Sequence, residues 1–383
     1  MDRIKYICYY SQDTDNVSRK SAPSATSKID YIIRALNRLD IKVDLVSSAI
    51  SDDPRFRFAK FGKTSLVNGN SVQYFFSLSP GNIKPIRVLN RLLVKLQLFF
   101  WLLLHLKTNE TVLVYHSLGY ARIINALKKI KKCTVIGEVE ELYQNLGTVP
   151  AWVPTLENKI VKVYDKYLFP TVMLDNRVNT SGRPSVIIHG IYEPSRKIQN
   201  SLFADSKTHV VYAGTLDPLK GGAQAAVNAA AFLPESFHVH ILGFGTEKQI
   251  DEINKLIAEV QSKGGANVSY EGLLPQARFE SFLQSCQIGL STQTPETAFR
   301  DTCFPSKILM YLCNGLNVVS ARMPVIESSD VHDLVYYYDS PEPLSIAEAI
   351  IVASRQLDLK SPIERIKELD ASFISQMSNI LIQ

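Results

Sequence analysis

The sequence predicts an α/β fold in which helices cover parallel β-sheets, arranged as two domains. Between residues 207 and 322, short buried-strand patterns alternate with glycine turns and helix patterns, which is the order that builds a parallel sheet. The chain has 383 residues, enough for two domains of ordinary size. Its 46% hydrophobic and 21% charged residues are typical of a soluble globular protein.

The predicted second domain covers residues 191–360 and opens with a strand at 208–213. A turn containing Lys220 follows and leads into an alanine-rich helix, and a second strand at 237–242 ends in Gly243-Phe244-Gly245. Parallel sheets bind ligands beyond the carboxyl ends of their strands, where helix N-termini offer free N–H groups to anions. Lys220 is therefore predicted to lie where a phosphate would bind.

The predicted first domain covers residues 1–190 and repeats the pattern of strand and helix. A helix is expected at 24–39, where apolar residues recur at helical spacing. The crossing between the domains is placed at 176–195.

Charge divides the chain in two. Residues 1–190 contain 27 Lys and Arg against 15 Asp and Glu, a balance of +12, and the remainder contains 15 against 22, a balance of −7. Such asymmetry points to an anionic partner for the first half. Nucleic acid is not predicted, because the chain carries no nucleic-acid-binding motif. An anionic membrane surface fits better.

A long apolar helix is predicted at 86–106. Its most apolar part, about eleven residues, is shorter than a bilayer core of roughly 30 Å requires. Two interpretations stay open: the helix is buried against the sheet, or an exposed apolar edge rests in the membrane interface. The second interpretation uses the basic residues alongside, namely Lys84, Arg87, Arg91 and Lys95.

The cysteines and the N-terminus predict a reducing compartment. Five cysteines are scattered without a C-x-x-C pair, as expected for buried free thiols. The first residues lead directly into a strand rather than into a signal-peptide pattern. We therefore expect a cytoplasmic protein, peripheral on the inner face of the plasma membrane.

Five short motifs follow one another in the second half. They are Gly214 with Lys220-Gly221, Ile241–Gly245, Val268–Pro275, Ile288–Ser291, and Phe304–Gly315 followed by Val318-Val319-Ser320. In this order they resemble the C-terminal half of the GT-B glycosyltransferases, in particular members of the large retaining family (family 4/group 1 type) of the bacterial surface-polysaccharide type. The resemblance implies two Rossmann-like domains facing across a cleft, with a last helix at about 363–383 returning to the first domain.

The resemblance also implies a donor site. Lys220 would act catalytically, because a fixed cation stabilises the charge on the departing nucleoside diphosphate without a metal ion. The family's second cation, an arginine, is Thr215 in this chain, and Lys307 at the start of a helix is expected to replace it. The predicted donor-binding residues are Gly214, Thr215, Lys220, Leu274, Thr302, Ser306 and Lys307.

One family feature is missing. The Glu-x7-Glu pair of most members falls on Thr302 and Met310, so neither acid is present. The second acid normally accepts hydrogen bonds from ribose hydroxyls, which a thioether replaces poorly. Glu296 lies upstream but out of register. A catalytically weak relative that binds nucleotide sugars, or a scaffold, therefore remains an alternative.

The first domain is expected to hold the acceptor. His116, at a strand end, either orients and deprotonates an acceptor hydroxyl or is a structural histidine. Arg19 and Lys20 are predicted to meet an acceptor diphosphate, and Glu141 to contact acceptor hydroxyls.

Two further patterns point to other chemistry. Asp13-Thr14-Asp15 spells a metal-binding D-x-D but follows the first strand, too early for the fold that uses it, so no metal is predicted. Tyr115-His116-Ser117-Leu118-Gly119 resembles a nucleophile elbow, although Tyr115 stands where that turn needs glycine. An esterase using Ser117 is thus the second alternative.

The preferred interpretation is a metal-independent, retaining hexosyltransferase without a cofactor. Its predicted partners are a nucleotide-sugar donor, a polyprenyl-diphosphate-linked glycan acceptor and the membrane surface, and its product is a capsule or O-antigen type of polysaccharide. No motif encodes the sugar, the base or the linkage.

Overall fold

The computed structural model describes residues 1–12, 18–55, 58–79, 83–145, 149–196, 202–292, 302–356 and 362–382. The chain forms two compact units. Unit 1 comprises Met1–Pro170, Leu174–Ile188 and Ser372–Gln383, and unit 2 comprises Thr171–Met173 and His189–Ala371.

Unit 1 is built on a sheet with the order β10-β9-β8-β7-β1-β2-β5-β4, in which β4 alone pairs antiparallel with its neighbour. Its strands are β1 (Arg3–Cys8), β2 (Lys42–Ser47), β4 (Gly62–Ser65), β5 (Ser71–Tyr74), β7 (Thr111–Tyr115), β8 (Thr134–Glu138), β9 (Lys166–Phe169) and β10 (Ser185–Ile187), with β3 (Phe58–Ala59) and β6 (Ser77–Leu78) pairing separately. The helices are α1 (Pro23–Arg38), α2 (Lys84–His105), α3 (Ala121–Lys131), α4 (Trp152–Val161) and α5 (Val172–Val178), of which α5 has its first two residues in unit 2.

Helix α1 shows why the sequence folds this way locally. Pro23 at its start fixes a helical φ and needs no hydrogen-bond partner for a backbone N–H. Ile29, Ile32, Ile33 and Leu36 recur at helical spacing and are all buried, which gives the helix one apolar face against the sheet. The helix predicted at 24–39 is therefore confirmed to within one residue at each end.

Unit 2 is a fully parallel sheet with the order β13-β12-β11-β14-β15-β16. Its strands are β11 (Thr208–Thr215), β12 (Phe237–Phe244), β13 (Asn267–Gly272), β14 (Ile288–Ser291), β15 (Asn317–Ala321) and β16 (Val335–Tyr338). Its helices are α6 (Gly222–Ala230), α7 (Glu247–Ser262), α8 (Gln276–Ser285), α9 (Ser306–Cys313), α10 (Pro324–Glu327) and α11 (Pro343–Ser354). Counted within the unit, this is the doubly wound order 3-2-1-4-5-6, whose ligand-binding crevice opens between β11 and β14.

The last helix, α12 (Pro362–Ile382), contributes to both units, and residues from Ser372 onward belong to unit 1. Phe373 is buried and stacks on Tyr31 at 5.6 Å between ring centroids. Lys166 Nζ donates a hydrogen bond to the carbonyl of Ile380 at 2.7 Å. The end of α12 thus completes the core of unit 1.

Helix α2 buries only one narrow stripe, made of Asn90, Val94, Leu98 and Leu102 at four-residue spacing. Of the helices that the structure describes, α2 alone is long and apolar enough to cross a membrane, judged by length and composition. Only 22% of its most apolar stretch of 18 residues is buried. The estimate of an eleven-residue apolar part was too short, because apolar residues continue toward both helix ends. The helix is also less buried than the first of the two interpretations required.

Candidate functional site

Lys307 lies over the end of β11 in unit 2. Its Nζ is 3.9 Å from the centroid of the Tyr212 ring, a cation–π contact. A Cβ atom placed on Gly214 would come within 2.6 Å of the same Nζ. A larger residue at this position would therefore displace the ammonium group from where it lies.

Helix α9 is fixed in this position by Tyr311. The buried Tyr311 hydroxyl accepts a hydrogen bond from the Ala213 N–H at 2.9 Å and donates to the Leu290 carbonyl at 3.2 Å. Gly289 makes room for the ring, since a Cβ there would lie 2.2 Å from it. These contacts tie α9 to both β11 and β14, so Lys307 stands at the crevice between them.

The electrostatics of Lys307 indicate an anion site. Burial, followed by the positive charge of Lys220, lowers the pKa of the Lys307 ammonium group to about 7. Across the described part of the chain, no carboxylate lies within ion-pair distance of Lys307. Two neighbouring cations that repel each other favour a bound anion such as a diphosphate.

The turn that carries Lys220 closes on Asp217. The Asp217 carbonyl accepts from the N–H groups of Lys220 at 3.1 Å and Gly221 at 3.2 Å. Gly221 adopts φ +63°, a left-handed conformation that glycine reaches without strain, and caps helix α6. At Gly222 a Cβ would lie 2.2 Å from the Thr292 carbonyl. The amino end of α6 is thereby held beside the turn, where its N–H groups can face an anion.

The other predicted donor residues occupy the same edge of the sheet. Thr215 ends β11 and its carbonyl accepts from the Tyr212 hydroxyl at 3.2 Å. Leu274 is half-buried after β13, and Ser306 is exposed as the first residue of α9. Thr302 is buried, and its hydroxyl has no hydrogen-bond partner among the described residues.

The acids of the family's pair are not replaced by the described residues nearby. Met310 is half-buried in α9. Glu296 lies outside the described residues, as do Asp13 and Asp15 of the D-x-D sequence.

Ser291 was not predicted as a donor contact, yet its buried hydroxyl at the end of β14 also has no partner in the described ranges. Tyr212 was also not predicted. Its position two residues before Gly214, on the same strand face, was the available signal.

In unit 1, both ring nitrogens of His116 are occupied by buried partners. Nδ1 lies 3.0 Å from the Tyr164 hydroxyl and Nε2 lies 3.1 Å from Glu157 Oε1. Glu157 is itself fully buried and accepts from the N–H groups of Tyr143 at 2.7 Å and Gln144 at 3.0 Å. The geometry therefore favours the structural role for His116 over contact with an acceptor hydroxyl.

The structure corrects the role expected of Arg19. Its buried guanidinium donates to the carbonyls of Ala49 at 3.0 Å, Phe75 at 3.2 Å and Lys60 at 3.2 Å, and it lies 4.5 Å from the Tyr74 ring centroid. These contacts hold three chain segments together and leave the group unsuited to an acceptor diphosphate. Lys20, by contrast, is exposed.

An acidic cluster lies at the end of β8. Burial, and then the charge of Glu140, raises the pKa of Glu138, whose carboxyl accepts a hydrogen bond from the Tyr6 hydroxyl. Lys28 pairs with Glu140 at 2.6 Å. Glu141 is half-buried, and burial followed by Glu140 and Glu157 raises its pKa. Glu141 thus remains a polar group on the carboxyl edge of the unit 1 sheet, as an acceptor contact requires.

The nucleophile elbow is not formed. Ser117 has φ −154° and ψ 135°, an extended backbone without the strain of that turn. Its hydroxyl lies 3.0 Å from the Tyr9 hydroxyl and accepts from the Gly119 N–H at 3.2 Å. Both ring nitrogens of the neighbouring His116 are hydrogen-bonded to Tyr164 and Glu157, so His116 is not available to Ser117 as a base, which argues against an esterase.

Solved structures of similar fold include several sugar-transferring enzymes. A UDP-forming α,α-trehalose-phosphate synthase from Burkholderia xenovorans has a TM-score of 0.64 at 12% identity, with 99% of each chain covered. The catalytic domain of starch synthase IV from Arabidopsis thaliana, bound to ADP and acarbose, has a TM-score of 0.60 at 8% identity, again with 99% of each chain covered. An E. coli structure bound with UDP-2-fluoro glucose has a TM-score of 0.62 at 12% identity and covers 98% of this chain and 96% of that chain. The fold is that of the GT-B glycosyltransferases.

The GT-B fold confirms the predicted fold class, with two Rossmann-like domains in the chain. The sequence matches no protein-family model and no curated protein. At these identities the structural likeness establishes the fold, so arguments about substrate rest on the residues of the site.

Proposed function

We propose that the chain is a glycosyltransferase whose unit 2 binds a nucleotide-sugar donor. The observation that carries the proposal is Lys307, held over Tyr212 and Gly214 at the crevice of a doubly wound sheet, with Lys220 as a second cation nearby. Support comes from two neighbours of the same fold, one bound with UDP-2-fluoro glucose and the other with ADP.

In this proposal the two lysines stabilise the leaving group. Cleavage of the bond between the sugar and the diphosphate places negative charge on the β-phosphate, and preorganised cations there lower the barrier. The N-terminal N–H groups of α6 and α9 add fixed partial positive charge. Transfer then needs no metal ion, and by resemblance to the retaining family it preserves the anomeric configuration of the sugar.

Ribose recognition has to differ from that of the acid-containing members. Met310 offers no acceptor for the ribose hydroxyls, whereas the buried hydroxyls of Ser291 and Thr302 are polar groups at the same edge. Hydroxyl contacts would be weaker than carboxylate contacts. We therefore expect weaker donor binding than the pair of acids would provide, but not the loss of activity that a purely scaffolding relative would show.

The test is nucleotide release from labelled UDP-, GDP- and dTDP-hexoses, with and without a polyprenyl-diphosphate acceptor. Transfer that is lost in Lys307→Met and kept in Lys255→Ala, an exposed lysine on α7, supports the proposal. Donor binding without turnover would favour the non-catalytic relative. If the protein neither binds nor transfers any of these donors, the assignment is overturned.

We further propose that the acceptor is a lipid-linked or growing bacterial surface glycan, reached from the cytoplasmic face of the membrane. The support is the outer side of α2, where five exposed apolar residues follow one another at four-residue spacing: Val88, Leu92, Leu96, Phe100 and Leu104. By helical geometry this stripe lies opposite the buried one. Arg91 and Lys95, one residue before Leu92 and Leu96, form an exposed basic stripe beside it.

This arrangement fits a membrane interface. An apolar stripe can enter the boundary between headgroups and acyl chains while neighbouring basic residues meet anionic lipid. Each basic residue near the surface contributes about 1 kcal/mol to the free energy of membrane binding. A groove lined by Phe61, Phe76, Leu96, Phe100 and Trp101 widens the apolar surface.

The test is flotation with liposomes of varied anionic lipid content at low and high salt. Binding should rise with anionic lipid, and Leu92→Ser/Leu96→Ser/Phe100→Ser should remove it, whereas the exposed control Phe244→Ser should not. Likewise, Arg91→Glu/Lys95→Glu should reduce binding more than Lys129→Glu/Lys132→Glu at the carboxyl end of α3. Binding that ignores lipid charge and salt, or no binding, would contradict the proposal.

A further inference from the structure

Three histidines come together in unit 2, near the amino-terminal ends of two strands and away from the donor edge. His209 is the second residue of β11, and His238 and His240 belong to β12. His209 is in register with His238, and alternate residues of a strand share a face. All three therefore lie on one side of the sheet, and one ring nitrogen from each lies within 4.8 Å of the others.

The rings are oriented by groups outside the cluster. His209 Nδ1 faces His240 Nε2 at 2.9 Å. The outward nitrogen of His209, Nε2, lies 2.7 Å from Asp205 Oδ1, and the outward nitrogen of His240, Nδ1, lies 2.9 Å from Glu271 Oε1. Metal-binding histidines typically have this arrangement, in which a carboxylate holds the far nitrogen and directs the near one inward.

Two carboxylates flank the histidine pair. Asp205 lies at the outward nitrogen of His209, and Glu271 lies at the outward nitrogen of His240. A divalent ion between His209 and His240 would therefore be placed between two negatively charged groups, which favours its binding.

We propose that His209, His238 and His240 bind one divalent transition metal ion of the zinc class, with Asp205 and Glu271 as positioning residues. Imidazole is a preferred ligand for such ions. At a metal–nitrogen distance of about 2.0–2.1 Å, tetrahedral ligand atoms lie about 3.3 Å apart. His209 Nδ1 and His240 Nε2, which are 2.9 Å apart, therefore need to separate only slightly to hold an ion.

The surroundings suit a bound ion with limited solvent access. His209 and His240 are each 2% exposed, whereas His238 is half-buried and gives a route of entry. Phe203 stacks on His209 with 3.8 Å between ring centroids, and Phe282 meets His240 edge-on with 5.1 Å between ring centroids. The two phenylalanines form an apolar wall. Such walls keep water from competing for the metal.

The ion would be structural and would take no part in sugar transfer. Along β11, His209 lies about 17 Å from Gly214 at about 3.3 Å per residue. The ion would tie β11 to β12 and to the segment at 203–205. The site is therefore independent of the proposed donor site and compatible with metal-independent transfer.

The test uses the full chain freed of metal with a chelator. Titration with Co²⁺, followed by its visible absorption, and with Zn²⁺, followed by calorimetry, should each show one equivalent bound and a higher melting temperature. His238→Gln should weaken Zn²⁺ affinity at least tenfold, and Glu271→Gln about 10- to 100-fold, the usual cost of losing an outer partner.

The matched control is His332→Gln, an exposed histidine elsewhere in unit 2, which should keep wild-type affinity. His238 is half-buried, so its variant is expected to fold, and the wild-type titration needs no variant. Absence of saturable binding by the wild type, full affinity in His238→Gln, or an equal loss in His332→Gln would overturn the proposal. Nucleotide-sugar binding is measured in parallel and should stay unchanged in His238→Gln.

Discussion

Lys307 should make donor binding depend on pH. In the protein without donor, burial and the neighbouring charge of Lys220 lower the pKa of Lys307 to about 7. A bound diphosphate favours the charged ammonium and raises that pKa. Above pH 7, donor binding must therefore be accompanied by uptake of a proton, and affinity falls as the pH rises.

The size of the effect follows from the shift. If the pKa in the complex exceeds about 9, the Kd rises about 30-fold between pH 6 and pH 8.5, or about 2 kcal/mol. A nucleotide sugar is the suitable probe, because its diphosphate carries no group that titrates in this range. Calorimetry in buffers of different ionisation enthalpy should show close to one proton taken up per donor at pH 8.5.

The variants separate Lys307 from general effects of pH. Lys307→Met should bind the donor weakly and with nearly the same Kd across the range, whereas Lys255→Ala should keep the wild-type slope. A wild-type Kd that does not change between pH 6 and pH 8.5 would refute the reasoning. So would a slope that persists in Lys307→Met.

Three further predictions concern turnover, metal and backbone. Lys220→Ala should lower turnover by about a hundredfold or more through loss of one preorganised charge, with unchanged circular dichroism because the residue is exposed in a turn; near-wild-type turnover would remove Lys220 from the site. EDTA should leave the initial rate of transfer unchanged while lowering the melting temperature if the histidine site is occupied; activity lost with EDTA and regained with Mg²⁺ or Mn²⁺ would contradict metal-independent transfer. Gly243→Ala should lower the free energy of unfolding by at least about 2 kcal/mol, because Gly243 has φ +148° and an added Cβ would lie 1.7 Å from the Gly214 carbonyl oxygen. In urea denaturation Gly62→Ala is the control, since its Cβ would meet nothing within 4 Å; equal midpoints for the two variants would be the contrary result.

The alternation of strands and helices could be predicted from the sequence because its signals are local. Apolar spacing placed α1 within a residue at each end, and the strands predicted at 208–213 and 237–242 begin at the observed first residues of β11 and β12. The motifs of the second half, taken together, also placed Lys220 and Lys307 at the same edge of one sheet. Local patterns and motif order carry this information without knowledge of tertiary contacts.

Contacts between distant segments could not be predicted in the same way. Arg19 was expected to meet an acceptor diphosphate, but three carbonyls from separate segments surround its guanidinium. His238-Val239-His240 gave a visible signal of two histidines on one strand face. The third member, His209, joins them through the register between β11 and β12, which no short pattern encodes.

The shared helix α12 has a consequence for how the chain folds during synthesis. Domains generally fold as they emerge, the first before the second. Unit 1, however, receives Phe373 and the partner of Lys166 only from residues that are translated after the whole of unit 2. Until then the pocket around Tyr31 lacks its final side chain. The first unit to leave the ribosome is thus the last to close its core, and its sheet has to stay soluble in the meantime.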